Sequence, residues 1–255
     1  MMQQAPSIRL LALDFDGVIV DSVLECAVVA CNGYYAFQGS GTRVKSPQEI
    51  SAGTLSKFRS LRPYIRSGED YLYLFQALDE GISIADQTEF DKFHDAHLNC
   101  KEPYYQHFYA EREALLSSDY QNWIELNPMY KGMIEFLQSL KPELLFHIVS
   151  TKASRYISEI LDYNGVRLTP KQIHQAGRSL SKSDIVKRLL KENQLSPGQV
   201  VFVDDHPDTV RKVSATGVVC FLAGWGYNTA DQYGLFASPK IPIIDIHKLN
   251  EICKK

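Results

Sequence analysis

The chain has 255 residues, 45% of them hydrophobic and 22% charged, and a formal net charge of −3. This composition is typical of a globular protein whose core is large enough to be stable without disulfide bonds or structural metal ions. It gives no indication of a nucleic-acid or membrane partner. No apolar run approaches the roughly 20 residues that span a bilayer. The five cysteines are scattered, which favours reduced thiols and a cytoplasmic location; Cys26, Cys31 and Cys220 are predicted to lie in the core.

A short apolar segment followed by two aspartates begins the pattern. Residues 10–13 are all apolar, which predicts a strand buried on both faces of a parallel sheet. Asp14 and Asp16 occupy alternate positions and so point to the same side, while Gly17 lets the backbone turn close to a ligand. Two like charges this close indicate a cation between them. Mg²⁺ is the expected ion, because it prefers oxygen ligands and often bridges a carboxylate and a phosphate. The alternative interpretation is a strand end with a solvated Asp-Gly turn.

These two carboxylates suggest different chemical roles. Asp14 is placed to attack phosphorus and form an aspartyl-phosphate, as carboxylate nucleophiles do. Asp16 is placed to give a proton to the leaving oxygen and then to take one from water.

A helical segment separates the first strand from the rest of the α/β pattern. Asp21 and Ser22 are expected to cap a helix over residues 23–30, and residues 38–54 are expected to be mostly loop. Apolar residues at helical spacing predict further helices at 55–61, 71–78, 86–100 and 104–116. We therefore predict a helical domain over residues 21–126, inserted into a core of residues 1–20 and 127–255.

Strands and helices alternate after this insertion, which predicts an α/β fold with a parallel sheet and helices on both faces. The first predicted helix begins between 129 and 133 and ends near 140. Further helices are predicted at 153–163, 183–193 and 207–215. The predicted strands are 144–149, 172–176, 200–204 and 218–222, with a short extended piece at 241–244.

Hydroxyl groups and a lysine mark two later segments. Ser150 and Thr151 follow the second strand, where hydroxyl and amide groups suit a phosphate oxygen, although either residue can instead cap the next helix. Lys182 begins a helix, where its charge opposes the helix dipole. Pairing with Asp14 and a phosphoryl group explains this position, and a solvated surface lysine is the alternative. Lys152 is a less suitable candidate for the same role.

Acidic residues follow the strand at 200–204. Asp204 is expected to bind the metal directly, and Asp208 to bind it through water or a neighbouring ligand. The role of Asp205 stays open, and capping of the next helix is the alternative for all three acids. The later run Gly224-Trp225-Gly226-Tyr227 is predicted to be a tight loop with a packed indole.

These segments, in order, resemble the four signatures of the haloacid dehalogenase superfamily, in its phosphoglycolate-phosphatase-like branch. The resemblance is carried by the string Asp14–Ser22, by Ser150, by Lys182, and by the acidic run from Asp204, with Val203 where many members have glycine. It implies a Rossmann-like core and a mobile helical cap inserted after the first signature. Dehalogenating relatives lack an acid at the position of Asp16, so the sequence resembles the phosphoryl-transfer members.

The implied function is hydrolysis of a small phosphorylated metabolite by a Mg²⁺-dependent phosphatase that forms an aspartyl-phosphate. Asp14, Asp16 and Lys182 are the implied catalytic residues. The phosphate is expected to contact Ser150, Thr151, Lys182 and Gly17, and the metal is expected to contact Asp14, Asp16, Asp204 and Asp208.

Two other functions remain open at this point. A phosphomutase of the same fold, like β-phosphoglucomutase, would return the phosphoryl group to its substrate. A non-catalytic binding or regulatory protein would use the cap as a partner surface. In the cap, Arg62 and Arg66 are candidates for the substrate's distal anion, with a solvated helix face as the alternative. The oligomeric state is left open.

Overall fold

The computed structural model describes residues 7–177, 179–233 and 241–254 and divides the chain into two compact units. One unit contains the residues up to Asp21 and those from Met129 onward, and the other is Ser22–Pro128. In the described ranges, no helix combines the length and the apolar character needed to cross a bilayer.

The described helices and strands follow each other in the order expected for an interrupted α/β fold. The strands are β1 (Leu10–Leu13), β2 (Leu145–Ser150), β3 (Ile173–Gln175), β4 (Val200–Asp204), β5 (Val219–Ala223) and β6 (Ile243–Ile244). The α-helices are α1 (Val23–Phe37), α2 (Ala52–Leu61), α3 (Asp70–Asp79), α4 (Gln87–Ala96), α5 (Lys101–Ser118), α6 (Tyr120–Glu125), α7 (Met133–Gln138), α8 (Ser154–Tyr163), α9 (Lys182–Glu192), α10 (Pro207–Ser214), α11 (Ala230–Tyr233) and α12 (Ile246–Lys254).

The described strands form one parallel sheet of six strands in the order β3-β2-β1-β4-β5-β6. This is the order of a Rossmann-like sheet, in which the chain winds outward in both directions from the centre. The predicted α/β class with a parallel sheet is therefore confirmed. The short helices α6 and α11 and the C-terminal helix α12 were not predicted.

Strand β1 lies at the centre of the sheet, and each of its four residues is fully buried. Leu10 and Ala12 face the same side as Val200 and Phe202, because side chains alternate along a strand. Helices α9 and α10 cover this face with apolar residues at helical spacing: Ile185, Val186, Leu189, Val210 and Val213. The apolar runs seen in the sequence thus form the core that holds the strand ends in place.

The register of the sheet brings the ends of β1 and β4 level with each other. Leu13 pairs with Val203, and the amide of Asp14 donates a hydrogen bond to the carbonyl of Val203 at 2.9 Å. The strand order reverses between β1 and β4, and in open α/β sheets a crevice forms at that point. Asp14 and Asp204 therefore leave neighbouring strands at the edge where such sheets bind ligands.

The unit Ser22–Pro128 is helical and has its own core. The rings of Phe58, Tyr71 and Phe108 stack nearly parallel, with centroids 5.8 and 5.4 Å apart, and join α2, α3 and α5. A buried ion pair joins α1 to α5: Arg112 Nε lies 2.7 Å from Glu25 Oε1, and Arg112 Nη2 lies 2.8 Å from Glu25 Oε2.

The prediction that the side chains of Asp21 and Ser22 cap the first helix is wrong. Helix α1 does begin after Ser22, but the Ser22 hydroxyl is buried and makes no hydrogen bond to the helix. The carboxylate of Asp21 instead accepts a hydrogen bond from the Tyr227 hydroxyl at 2.6 Å. The core positions predicted for Cys26, Cys31 and Cys220 are confirmed, and all five cysteines are free thiols.

Candidate active site

Side chains from three strand ends and one helix start meet at the carboxyl edge of the sheet. Lys182, the first residue of α9, places its Nζ 2.8 Å from Asp14 Oδ2 and 2.8 Å from Asp204 Oδ2. Ser150, at the end of β2, is buried and hydrogen bonds to the Asp14 carboxylate. The structure thus brings Asp14, Ser150, Lys182 and Asp204 into one cluster, although they lie far apart in the sequence.

Neither of the alternative roles for Ser150 and Lys182 fits this geometry. The N-cap of α8 is Ala153, and no side chain caps that helix, so Ser150 is not a capping residue. The Lys182 side chain is only 11% exposed and lies between two carboxylates, so it is not a solvated surface lysine. Both residues instead face Asp14.

Burial and neighbouring charges shift the pKa values of the central pair. Burial raises the pKa of Asp14 from 3.8 to about 6; Lys182 opposes this rise, Asp204 adds to it, and hydrogen bonds from Lys182 and Ser150 oppose it. Burial by itself would lower the pKa of Lys182, but Asp14 and Asp204 raise it above its usual value. Lys182 therefore stays charged, while Asp14 holds a proton more tightly than an exposed aspartate does.

Three buried carboxylates have the composition of a site for a hard divalent cation. Asp14, Asp204 and Asp205 each offer an oxygen, and these oxygens lie within 4.8 Å of one another. The Lys182 ammonium group contacts two of these carboxylates, those of Asp14 and Asp204. In addition, Asp14 Oδ1 is buried and has no hydrogen-bond partner among the described residues. An oxygen-liganded cation such as Mg²⁺ would supply the contact that Asp14 Oδ1 lacks.

Asp205, whose role the sequence left open, is packed between two glycines. Its Oδ2 accepts a hydrogen bond from the Tyr227 amide at 2.8 Å. Gly17 has a φ of +86°, and a Cβ placed on it would lie 2.1 Å from Asp205 Oδ2. A Cβ on Gly226 would lie 2.3 Å from the Asp205 Cβ. Both glycines are therefore required by the close approach of the Asp205 side chain.

Asp16 forms an ion pair that the sequence analysis missed. Lys152 Nζ lies 3.0 Å from Asp16 Oδ1, and the Lys152 side chain is 1% exposed against 20% for Asp16. The sequence offered one signal: a lysine two residues after a strand-end serine, in a turn that the fold places at the sheet edge.

Asp208 and Thr151, both predicted site residues, lie outside the cluster. Asp208 lies in the first turn of α10, partly exposed, and its carboxylate is 3.5 Å from Arg211 one turn further along. Thr151 is exposed. Among the described residues, the carboxylates grouped around a common point are those of Asp14, Asp204 and Asp205, and neither Asp16 nor Asp208.

Comparisons with known proteins agree with this fold. No family model matches the chain. The phosphoglycolate phosphatase of Vibrio parahaemolyticus is 24% identical over 232 residues, which cover 89% of this chain and 88% of that protein. A haloacid dehalogenase-like hydrolase from Streptococcus pneumoniae has a similar structure, with a TM-score of 0.58 and 14% identity, covering 97% of this chain and 98% of that one.

A predicted phosphoglycolate phosphatase from Haemophilus somnus is also similar, with a TM-score of 0.61 and 16% identity, covering 98% of this chain and 99% of that one. The chain has the fold of haloacid-dehalogenase-like hydrolases. It is similar in sequence to phosphoglycolate phosphatases along most of its length.

A loop after β5 braces the segment that carries Asp16. Trp225 Nε1 donates a hydrogen bond to the carbonyl of Val18 at 2.9 Å, and the Tyr227 hydroxyl donates to Asp21 at 2.6 Å. The sequence predicted a tight loop with a packed indole, but not its partner. The partner could not be read from the sequence, because the two segments are about two hundred residues apart.

The two arginines predicted to meet substrate have contacts inside the helical unit. Arg66 makes a two-pronged ion pair with Asp91, at 2.6 and 3.1 Å, with both side chains partly exposed. The guanidinium of Arg62, a buried residue, lies 5.2 Å from the centre of the Tyr71 ring. The surface-pair interpretation accounts for Arg66, and a substrate role for either arginine stays a prediction.

Proposed function

We propose that this protein is a Mg²⁺-dependent phosphatase that acts on a small phosphomonoester through an aspartyl-phosphate on Asp14. The observation that supports this most is the position of Lys182 between Asp14 and Asp204, beside a buried group of three carboxylates. An ammonium and a divalent cation together stabilise the charge of a transferring phosphoryl group.

The proposed metal site uses the carboxylates at the ends of β1 and β4. Asp14, Asp204 and Asp205 would hold the ion, and Asp16 and Asp208 remain further predicted ligands. Bound there, Mg²⁺ supplies positive charge that reduces the repulsion between the carboxylates and an incoming phosphate.

In the first proposed step, a carboxylate oxygen of Asp14 attacks phosphorus. A bond forms between that oxygen and phosphorus as the bond between phosphorus and the leaving oxygen breaks. Asp16 gives its proton to the leaving oxygen, so the alcohol departs neutral. Ser150 and Lys182 hold Asp14 in place by hydrogen bonds, and the Lys182 charge favours the attack because it stabilises the additional negative charge.

In the second proposed step, water hydrolyses the acyl phosphate. Asp16, now a carboxylate, takes a proton from the water molecule whose oxygen attacks phosphorus. The bond between phosphorus and Asp14 breaks, inorganic phosphate leaves, and Asp14 returns as a carboxylate. Asp16 is then protonated again and ready for the next substrate.

We propose a short phosphorylated acid, such as phosphoglycolate, as the substrate class. The support is the printed name of the relatives, at 24% identity. Arg62 and Arg66 are the predicted contacts for the second anion of such a substrate. A cytoplasmic location belongs to the same proposal.

The test is phosphate release from 4-nitrophenyl phosphate and from a panel of phosphorylated acids, with and without Mg²⁺. We expect Mg²⁺-dependent release by the parent protein and at least about a hundredfold less by Asp14→Asn, because an amide is not a nucleophile toward phosphorus. Acid quenching followed by peptide mass analysis should find a phosphoryl group on the peptide containing Asp14.

Several outcomes contradict the proposal. Turnover by Asp14→Asn at the parent rate would rule out an aspartyl-phosphate intermediate on Asp14. Absence of turnover on any phosphomonoester would favour a binding or regulatory protein. Isomer formation without phosphate release would indicate a phosphomutase. Asp162→Asn, an exposed aspartate on α8, is the matched control and should keep the parent rate.

A further inference from the structure

A buried lysine at the sheet edge holds the carboxylate that the proposed reaction uses for proton transfer. Lys152 Nζ is 3.0 Å from Asp16 Oδ1, and the Lys152 side chain is 1% exposed. Buried lysines are rare, because a carboxylate has to compensate for the lost hydration of the ammonium group. The Asp16 side chain, 20% exposed, is the more accessible member of the pair.

The backbone of the same lysine contacts the neighbouring hydroxyl. The Lys152 amide donates a hydrogen bond to Ser150 Oγ at 3.3 Å, while Ser150 hydrogen bonds to Asp14. The ring of Phe15, between the two aspartates in sequence, lies 5.9 Å from Lys152 Nζ. Lys152 thus connects the turn after β2 to both aspartates after β1.

We infer that Lys152 is a positioning residue that orients Asp16 toward the leaving oxygen of the substrate; this inference rests on the proposed function. An ammonium group only donates hydrogen bonds. When Asp16 carries its acid proton, Oδ1 accepts the hydrogen bond from Lys152 and the proton sits on Oδ2. This hydrogen bond therefore selects which oxygen of Asp16 gives the proton.

Leaving groups of different acidity distinguish this role from a purely structural one. 4-Nitrophenolate leaves without help from an acid, whereas phenolate is more basic and benefits from a proton. The two esters, 4-nitrophenyl phosphate and phenyl phosphate, have almost the same shape. The quantity to compare is the ratio of their kcat/KM values, because kcat/KM includes steps only up to the first irreversible one, here formation of the aspartyl-phosphate.

We expect Lys152→Met and Lys152→Gln to raise the ratio of kcat/KM for 4-nitrophenyl phosphate over phenyl phosphate by about tenfold or more, since general acids contribute 10²–10⁴-fold. Asp16→Asn should raise the ratio in the same direction. Adding Lys152→Met to Asp16→Asn should change the ratio no further, because the two residues act as one unit. Lys187→Gln, an exposed lysine on α9, is the matched control and should leave the ratio unchanged.

The methionine variant keeps the experiment decisive if glutamine disturbs folding, because an apolar side chain of similar length fills the same buried space. A ratio equal to that of the parent in both Lys152 variants would overturn the inference, and so would an equal rise in KM for both esters, which would assign Lys152 to phosphate binding. If Asp16→Asn itself leaves the ratio unchanged, the inference fails while the phosphatase proposal stands. If the parent hydrolyses neither ester, both the proposed function and this inference fail.

Discussion

At the sheet edge, the identity of a single residue is constrained by how closely neighbouring side chains approach its backbone. Gly17 has a φ of +86° and its missing Cβ makes room for the Asp205 carboxylate. The chain provides a control for the backbone part of this constraint, because Gly132 has a φ of +84° with nothing within 4 Å of its missing Cβ.

Gly17→Ala should therefore destabilise the protein more than Gly132→Ala does. A left-handed conformation costs an alanine about 1–2 kcal/mol at either position, and only at position 17 does the new methyl group also meet Asp205. Urea unfolding of both variants measures the difference, and phosphatase activity should fall only in Gly17→Ala. Equal losses of stability would contradict the role of Gly17 in accommodating Asp205.

At the scale of structural elements, the loop after β5 holds the segment from Asp16 to Asp21 through Trp225 and Tyr227. Tyr227→Phe removes the hydroxyl that donates to Asp21 at 2.6 Å, so we expect a loss of about 1.5–3 kcal/mol in the free energy of unfolding. Tyr35→Phe removes a similar bond to Asp79 in an exposed setting, at 2.9 Å, and should lose less. A larger loss in Tyr35→Phe would show that the loop does not brace this segment.

Helices α1 and α5 are joined through an ion pair that is out of contact with water. Glu25→Gln leaves the Arg112 charge buried without its partner, which costs about 3–5 kcal/mol. Asp91→Asn breaks a two-pronged pair of the same type with Arg66, but on the surface, and should cost less than about 1 kcal/mol. Denaturant unfolding of both variants checks this.

Replacing both partners tests whether the α1–α5 pair is needed for stability. The double variant Glu25→Leu, Arg112→Met should recover most of what Glu25→Gln loses, because no charge remains buried and the methionine can still pack on the Phe108 ring. A double variant as unstable as Glu25→Gln would show that the shape of the pair, and not the unpaired charge, determines the stability.

At the scale of the whole molecule, stability, metal binding and pH are linked through Asp14. In the metal-free protein the folded pKa of Asp14, about 6, lies above the usual 3.8 because of burial. The folded state therefore binds this proton more tightly than the unfolded chain. The resulting stabilisation is complete below about pH 4 and is lost as the pH rises through about 6.

The free energy of unfolding of the metal-free parent, compared with that of Asp14→Asn, should therefore fall by about 2–3 kcal/mol between pH 4 and pH 8. Urea unfolding in the presence of a chelator measures it, with Asp162→Asn as the control that should follow the parent at each pH. A difference between parent and Asp14→Asn that stays constant with pH would contradict the burial of an ionisable carboxyl at this position.

Added Mg²⁺ should raise the Tm of the parent at pH 8 and raise it less at pH 5, because protons compete with the ion for Asp14. Asp14→Asn should lose most of this Mg²⁺-dependent shift. Thermal unfolding with and without Mg²⁺ checks the prediction, and an equal shift in both proteins would place the ion elsewhere.

The sequence by itself determined the class of fold and the residues at the centre of the site. Apolar runs such as Leu10–Leu13 and Val200–Val203 indicate buried strands, and parallel strands align their carboxyl ends at one edge. Asp14, Ser150, Lys182 and Asp204 could therefore be predicted to meet, because each ends a strand, directly follows one or begins a helix at that edge.

Only the tertiary structure decided which charged groups pair and which lie outside the cluster. Lys152 faces Asp16, Asp205 joins Asp14 and Asp204, and Asp208 turns toward Arg211. The physical reason is that a side chain's partner depends on strand register, rotamer and close packing between segments that are distant in sequence. Local patterns fix where a residue leaves a strand, but they do not fix what its side chain then meets.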